Sequence, residues 1–122
     1  MTREIVTADD DETIREIVEF KLSGSDRTVT AFENGRACWE YLEANEPPDL
    51  IILDVMMPGL TGLQVLERIR EKDELSTVPV IMLTSRGREE HVVEGIERGA
   101  TDYMTKPFSP NVLVARVNSR LS

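Results

Sequence analysis

Residues that could carry out chemistry stand at the ends of short apolar segments in this 122-residue chain. Residues 9–11 are all aspartate and directly follow the first such segment, while Asp54 lies in the most apolar run of the sequence. Thr84 and Ser85 close another apolar run, and Lys106 follows a further short segment. If these segments are strands of one parallel sheet, the polar residues collect at the carboxyl ends of the strands, where open sheets bind ligands.

The chemistry predicted for this edge is phosphoryl transfer assisted by a metal ion. Carboxylates that converge repel each other and lose hydration unless a cation joins them, and Mg²⁺, or Mn²⁺ in its place, takes hard oxygen ligands. Asp9 and Asp10 can ligate the ion directly or through water. A carboxylate beside Mg²⁺ and Lys106 is arranged as a nucleophile towards phosphorus, and Asp54 is our candidate. Thr84 is then placed to donate a hydrogen bond to the new phosphate.

The segments that carry these residues alternate between predicted strands and predicted helices. Short segments rich in valine and isoleucine predict five strands, at residues 4–8, 28–32, 50–55, 78–84 and 101–105. Apolar residues spaced three and four apart predict a helix after each strand. This alternation predicts a single doubly wound α/β fold, a five-stranded parallel sheet flanked by five helices. The third and fourth strands are so apolar that we expect them at the centre, buried on both faces.

Local signals mark the ends of the helices, and for the first helix they leave two alternatives. Asp11 is a favoured N-cap residue. Thr13 could cap the helix instead and form a capping box with Glu16. Gly24 and Gly99 fall where helices should stop.

Charge and composition exclude several classes of function. The formal net charge is -9, and residues 1–60 carry all of the excess acid, so direct binding of nucleic acid is not expected. A lone Cys38 cannot form an internal disulfide, and no apolar run approaches the roughly 18 residues of a membrane span. No signal-peptide core opens the sequence. We therefore expect a cytoplasmic protein that acts away from membranes, folded as one domain over residues 1–122.

At the residues singled out above, the sequence resembles the response-regulator receiver family, the phospho-accepting half of two-component signalling. The matching motifs are Ala8-Asp9-Asp10, the segment 53–59 with Gly62, Leu83-Thr84-Ser85, and the segment 103–107 with its Lys106-Pro107. The motifs occur in order and at suitable spacing, and the resemblance covers nearly the whole chain. It implies a flavodoxin-like receiver fold with strand order 2-1-3-4-5.

The resemblance implies a role for each site residue. Asp54 would accept a phosphoryl group from a sensor histidine kinase, a histidine phosphotransfer protein or a small acyl phosphate. Asp9, Asp10 and Asp54 would hold Mg²⁺ together with the backbone carbonyl of Met56, and Lys106 would contact the phosphoryl group. Such a domain is not a conventional enzyme, although it catalyses its own Mg²⁺-dependent phosphorylation and dephosphorylation.

The resemblance also implies how the signal leaves the site. Thr84 would move towards the phosphate and Tyr103 would change rotamer with it, while Ser85 and Pro107, whose isomer the sequence leaves open, support the site. The face made by the fourth helix, fifth strand and fifth helix would change its partners, and a phosphorylation-dependent homodimer is one such change. The output would be a downstream effector protein or a fused domain. The sequence contains no effector domain, so we expect a single-domain regulator or an excised receiver.

Two positions of the sequence depart from the family pattern. The positions that tune phosphate lifetime hold Met56 and Arg86, neither an acid nor an amide that would orient attacking water, so slow hydrolysis is our hypothesis.

A phosphatase with an Asp-x-Asp motif is disfavoured because Met56 stands two residues after Asp54. A flavin mononucleotide carrier is disfavoured because residues 9–11 are acidic where its phosphate would bind. The main alternative is a receiver-like module that binds a partner without taking phosphate.

Overall fold

The computed structural model describes residues 2–85 and 89–121, and within them the chain forms five strands and five α-helices. The strands are β1 (Arg3–Ala8), β2 (Arg27–Phe32), β3 (Leu50–Asp54), β4 (Val80–Ser85) and β5 (Asp102–Lys106). The helices are α1 (Glu12–Leu22), α2 (Gly35–Ala44), α3 (Gly62–Glu71), α4 (Glu89–Glu97) and α5 (Pro110–Leu121). A short 3₁₀ helix, Asp73–Leu75, precedes β4.

The five strands form one parallel sheet in the order β2-β1-β3-β4-β5. The predicted fold and strand order are therefore confirmed. Because β1 has β2 on one side and β3 on the other, the direction of the strand order reverses there. A crevice at the carboxyl ends of β1 and β3 follows from this reversal, and such a crevice is where open parallel sheets bind ligands.

Strands β4 and β5 lie one or two residues further along the chain than predicted. Pro79 has no N–H to donate, and the Val78 N–H donates to a carbonyl of the 3₁₀ helix at 3.1 Å, so β4 begins only at Val80. Ser85 and Lys106, expected just after strands, are instead the last residues of β4 and β5 and pair with each other in the sheet. Strand β3, by contrast, ends one residue earlier than predicted.

The start of α1 resolves the two alternative caps. The Asp11 side chain accepts hydrogen bonds from the backbone N–H groups of Thr13 and Ile14, so Asp11 is the N-cap. The alternative capping box of Thr13 with Glu16 is wrong, because α1 already begins at Glu12 and Thr13 lies within its first turn.

Two apolar clusters cover the two faces of the sheet. One contains α2 and α3 residues and takes Ile51 and Leu53 from β3, while the other contains α1 and α5 residues and takes Leu50 and Ile52. Every residue of β3 is buried, as the sequence predicted for this strand. Burial on both faces fixes the register of β3 and hence the position of its last residue, Asp54.

The helices are short compared with a bilayer. Helix α5 has 12 residues, which at 1.5 Å per residue is about 18 Å, whereas the hydrocarbon core of a bilayer is roughly 30 Å thick. In the part of the chain that the structure describes, no helix has the length and apolar character needed to cross a membrane.

Candidate functional site

The carboxyl ends of four strands bring the predicted site residues to one edge of the sheet. Asp9 and Asp10 follow β1, Asp54 ends β3, Thr84 is the penultimate residue of β4, and Lys106 ends β5. Carboxylate oxygens of the three aspartates lie within 4.8 Å of one another. Parallel pairing aligns these strand ends, which is why residues distant in the sequence meet here.

Asp9 is held by hydrogen bonds on several sides and is only 1% exposed. Its N–H extends the pairing of β1 with β2 by donating to the Phe32 carbonyl at 3.1 Å. One carboxylate oxygen accepts from the Asp11 N–H at 2.9 Å, and the other accepts from Lys106 Nζ at 2.8 Å. The position of Asp9 is therefore fixed by the protein itself.

Asp54 is 5% exposed and lies beside Lys106, whose Nζ is 3.4 Å from Asp54 Oδ1. The pKa of the Asp54 carboxyl is raised to about 7, chiefly by burial and next by the charge of Asp9, while Lys106 acts to lower it. The pKa of Lys106 is also raised: burial acts to lower it, but the hydrogen bond to Asp9 and the charges of both carboxylates outweigh burial. Among the residues that the structure describes, Lys106 is the cation that contacts these carboxylates and does not balance their charge, so the site is suited to a further cation.

The donor set of this cluster fits a hard divalent cation. Asp9 and Asp54 are buried while Asp10 is exposed, so the cluster is accessible to solvent on the Asp10 side. A carboxylate offers about four lone-pair sites, more than the protein's own hydrogen bonds use here. Several carboxylate oxygens without nitrogen or sulfur donors are typical of Mg²⁺ sites. Asp9, Asp10 and Asp54 could therefore hold a metal ion.

The segment after β3 returns closely onto Asp54. Gly62 begins α3 so near to this residue that a Cβ atom at position 62 would lie 2.0 Å from the Asp54 carbonyl oxygen. The Gly62 N–H donates to the Val55 carbonyl at 2.9 Å, which closes the loop. Met56, whose carbonyl was predicted to bind the metal, lies in this loop with half of its surface exposed. That role of Met56 stays a prediction.

Thr84 carries a buried hydroxyl for which the described residues provide no hydrogen-bond partner. The residue is 2% exposed and directly follows Leu83, which pairs with Asp54 in the sheet. Leaving a buried hydroxyl without a partner costs about 1–3 kcal/mol, so such a group needs an explanation. A ligand with acceptor oxygens at this edge would supply the missing bond.

The remaining predicted residues lie around this centre. Ser85 is exposed at the end of β4, and the peptide bond between Lys106 and Pro107 is cis. Tyr103 packs, partly buried, against the apolar cluster of α2 and α3. Arg86 lies outside the described residues. The individual roles assigned to these side chains stay predictions.

One contact at the site was not predicted from the sequence. The Arg15 guanidinium donates a hydrogen bond from Nη1 to the carbonyl of Asp9 at 2.8 Å. An arginine in the first turns of an amphipathic helix normally indicates an exposed face, and a backbone acceptor leaves no trace in the sequence. One indication of this contact was available in the sequence: with Asp11 as the N-cap, Arg15 lies one helical turn after the acidic segment.

The strand order and the acidic edge of the sheet are those of one protein family. A parallel sheet of order 2-1-3-4-5, with an acidic cluster and a lysine at its carboxyl edge, agrees with the motifs noted above. The sequence matches the family described as response regulator receiver domain over residues 5–118. The chain therefore belongs to the receiver domains of two-component response regulators, which are signalling proteins rather than conventional enzymes.

Individual relatives agree with this assignment. The phosphate regulon transcriptional regulatory protein PhoB of Escherichia coli K12 is 43% identical over 120 residues, covering 98% of this chain and 52% of PhoB. The chemotaxis response regulator CheY4 of Vibrio cholerae superposes with a TM-score of 0.89 at 28% identity, covering 98% of this chain and 99% of that chain.

A third relative is an activated receiver. The BeF3-activated receiver domain of DrrB, an OmpR/PhoB homologue from Thermotoga maritima, has a TM-score of 0.85 at 37% identity, covering 99% of this chain and 98% of that chain. The present chain spans about half the length of the curated relatives it matches.

Proposed function

We propose that this chain is a phosphorylation-dependent signalling switch in which Asp54 accepts the phosphoryl group. The observation that carries the proposal is the buried Asp54 carboxylate, which lies beside Lys106 and clusters with Asp9 and Asp10. A carboxylate buried among like charges is costly, and proteins retain such groups chiefly where they have a function. The family to which the chain belongs supports the same conclusion.

In this proposal Mg²⁺, or Mn²⁺ in its place, binds at Asp9, Asp10 and Asp54 with the carbonyl of Met56. When bound, the ion stabilises negative charge on the oxygens of the transferring phosphoryl group. The protein contributes the arrangement of ligands: Lys106 orients the carboxylate of Asp9, while exposed Asp10 keeps the site accessible from solvent.

Phosphoryl transfer then needs little besides positioning. The Asp54 carboxylate attacks the phosphorus of a phosphohistidine, on a sensor kinase or a histidine phosphotransfer protein, or of a small acyl phosphate. A bond from phosphorus to the Asp54 oxygen forms while the bond to the donor breaks, and the donor leaves with the electron pair. Lys106 balances charge on the incoming oxygens. Attack of water on the same phosphorus reverses the modification.

The phosphoryl group would be sensed through the unpaired hydroxyl of Thr84. Moving towards the new acceptor oxygens gives Thr84 a partner that the unphosphorylated site lacks, and Tyr103 changes rotamer with it, while Ser85 and Pro107 support the geometry. The group shifts the equilibrium only by its differential interaction with the two conformations. The face of α4, β5 and α5 then changes its partners, including a second copy of this chain.

The upstream and downstream partners follow from the same function. A kinase or phosphotransfer protein supplies the phosphoryl group, and a fused output domain or a separate effector receives the signal in the cytoplasm. Relatives that are about twice as long are named transcriptional regulatory proteins, so we propose control of transcription as the output. The receiver itself, with its formal net charge of -9, would not bind nucleic acid directly.

The phosphorylated state should persist. Met56 and Arg86 occupy the positions that tune its lifetime, and neither offers a carboxylate or amide to orient water. We expect decay of the phosphorylated protein over minutes or longer, followed by intact mass after removal of the donor. Loss within seconds would contradict slow hydrolysis without affecting the assignment of Asp54.

The experiment that tests the proposed function is intact-mass measurement after incubation with acetyl phosphate, with and without Mg²⁺. Wild type should gain one phosphoryl group only with Mg²⁺, and Asp54→Asn should gain none. Asp26→Asn, at an exposed aspartate, is the matched control and should be modified like wild type. No addition to wild type from acetyl phosphate or from a kinase would favour the module that binds a partner without taking phosphate.

A further inference from the structure

Arg15 holds the backbone on both sides of Asp10. Its guanidinium donates to the carbonyl of Asp9 at 2.8 Å, and its own backbone N–H donates to the carbonyl of Asp11 at 3.0 Å. The side chain is partly buried, so the bond to Asp9 is shielded from competition by water. The Arg15 side chain therefore holds the peptide group between Asp9 and Asp10, while the bond from its backbone N–H to Asp11 is the first ordinary hydrogen bond of the helix.

The other hydrogen bonds of this turn do not involve the Asp9 carbonyl, which accepts its bond from Arg15. The Asp11 N–H donates to the Asp9 carboxylate, and the Asp11 side chain caps α1 through Thr13 and Ile14. These bonds orient the carboxylate of Asp9 and the start of the helix. A charged guanidinium is a stronger donor to a carbonyl than a neutral group, so its loss would release the peptide between Asp9 and Asp10.

We propose that Arg15 is a positioning residue for the metal site, acting through the backbone of Asp9 rather than by contact with the ion. The inference rests on the proposed function, because it assumes that Asp9 and Asp10 bind a divalent cation. Groups that orient metal ligands typically change metal affinity by about 10–100-fold when removed. Arg15 holds the backbone of a ligand pair, and we expect an effect at the lower end of that range.

The sign of the effect separates positioning from simple electrostatics. Arg15 is a cation close to an acidic cluster, so its charge alone repels Mg²⁺ and its removal would tighten binding. If Arg15 instead holds Asp9 and Asp10 in a geometry suited to the ion, its removal weakens binding despite the favourable change in charge. Weaker binding therefore cannot be produced by the lost charge.

The test is calorimetric titration of the full chain with MgCl₂, comparing wild type with Arg15→Gln, Arg15→Lys and Arg36→Gln. Arg36 is an exposed arginine near the start of α2 and controls for the loss of one positive charge. We expect Arg15→Gln to weaken Mg²⁺ binding about tenfold, Arg15→Lys to weaken it less, and Arg36→Gln to leave it unchanged or slightly tighter. Circular dichroism at the same temperature checks that each variant is folded.

Equal or tighter Mg²⁺ binding by Arg15→Gln than by Arg36→Gln would overturn the inference. If Arg15→Gln does not fold, Arg15→Lys carries the same test, because it keeps the charge but not the planar guanidinium, and unchanged binding would overturn the inference. Wild type that binds no Mg²⁺ would instead count against the proposed metal site itself. The two failures are therefore distinguishable.

Discussion

Opposite edges of the same sheet bury charged and polar groups in contrasting ways. At the amino ends of β4 and β5, Arg70 of α3 donates to the carbonyls of Val78 at 2.7 Å and Gly99 at 2.9 Å. Further contacts reach the carbonyls of Leu75 and Ser76 and the hydroxyl of Thr101. At the carboxyl ends, Asp9 and Asp54 share Lys106, and the Thr84 hydroxyl has no partner among the described residues.

One fold thus places a stabilising cluster and a ligand-binding cluster at opposite ends of its strands. At the amino edge one partly buried cation, Arg70, meets acceptors from several segments, so its desolvation is compensated within the protein. At the carboxyl edge, within residues 2–85 and 89–121, the clustered carboxylates outnumber the lysine that contacts them and the Thr84 hydroxyl has no partner, so this edge is suited to compensation by a ligand. The first edge should therefore respond to mutation with a loss of stability, and the second with altered ligand chemistry.

The largest expected effect on stability is at the amino edge. Arg70→Met should lower the free energy of unfolding by about 2–4 kcal/mol, because partly buried carbonyls lose a charged donor. The measurement is urea denaturation. Arg68→Met, at an exposed position of the same helix, is the control and should change stability by no more than about 0.5 kcal/mol. Equal stability of the two variants would show that the contacts of Arg70 do not stabilise the amino edge of the sheet.

At the carboxyl edge, Asp54→Asn should change how stability depends on pH. The pKa of Asp54 is about 7 in the folded protein and about 3.9 when unfolded, so the folded state binds more protons between these values. Wild-type stability therefore falls as pH rises through this window. In metal-free buffer, Asp54→Asn should gain roughly 1–3 kcal/mol relative to wild type between pH 5 and pH 8.

Urea denaturation at the two pH values measures this gain, with Asp26→Asn as the control at an exposed carboxylate. The control should differ from wild type by a similar amount at pH 5 and pH 8. A stability difference between Asp54→Asn and wild type that does not change with pH would mean that Asp54 is no more strained in the folded state than an exposed acid.

Thr84→Val should produce a smaller effect of the opposite sign to that of Arg70→Met. Valine has nearly the shape of threonine and removes the unpaired hydroxyl, so the unphosphorylated protein should gain about 1 kcal/mol. Phosphorylation of Asp54 should persist, while any phosphorylation-dependent dimer detected by sedimentation should be lost. Thr105→Val, at the exposed partner of Thr84 in β5, controls for the substitution. A destabilised Thr84→Val would show that the hydroxyl is already satisfied.

Much of this architecture could be predicted because strand periodicity and apolar runs identify a parallel sheet. Once the sheet is assigned as parallel, Asp9, Asp54, Thr84 and Lys106 fall at its carboxyl edge. Which of these residues are neighbours depends on the strand order, which was available only from the family resemblance. Strand limits were less predictable, since the start of β4 depends on whether the N–H before Pro79 joins the sheet or a turn.

The contacts of two arginines could not be predicted. Arg15 and Arg70 both donate to backbone carbonyls, and every residue offers a carbonyl, so no sequence pattern marks the acceptors. Helical periodicity indicates which side of a helix faces the sheet, but the reach of a long side chain depends on loops that approach in three dimensions. The sequence names the side chains that could form ion pairs, whereas it does not show which backbone carbonyl an arginine will contact.

Thermal unfolding with Mg²⁺ and beryllofluoride shows whether a cation and a phosphoryl group complete the carboxyl edge. Ligands that bind only the folded state raise its unfolding midpoint. We predict that the two together raise the midpoint of wild type by several degrees, more than Mg²⁺ alone, and that Asp54→Asn shows no additional rise with beryllofluoride. An unchanged midpoint for wild type in the presence of both would contradict this account.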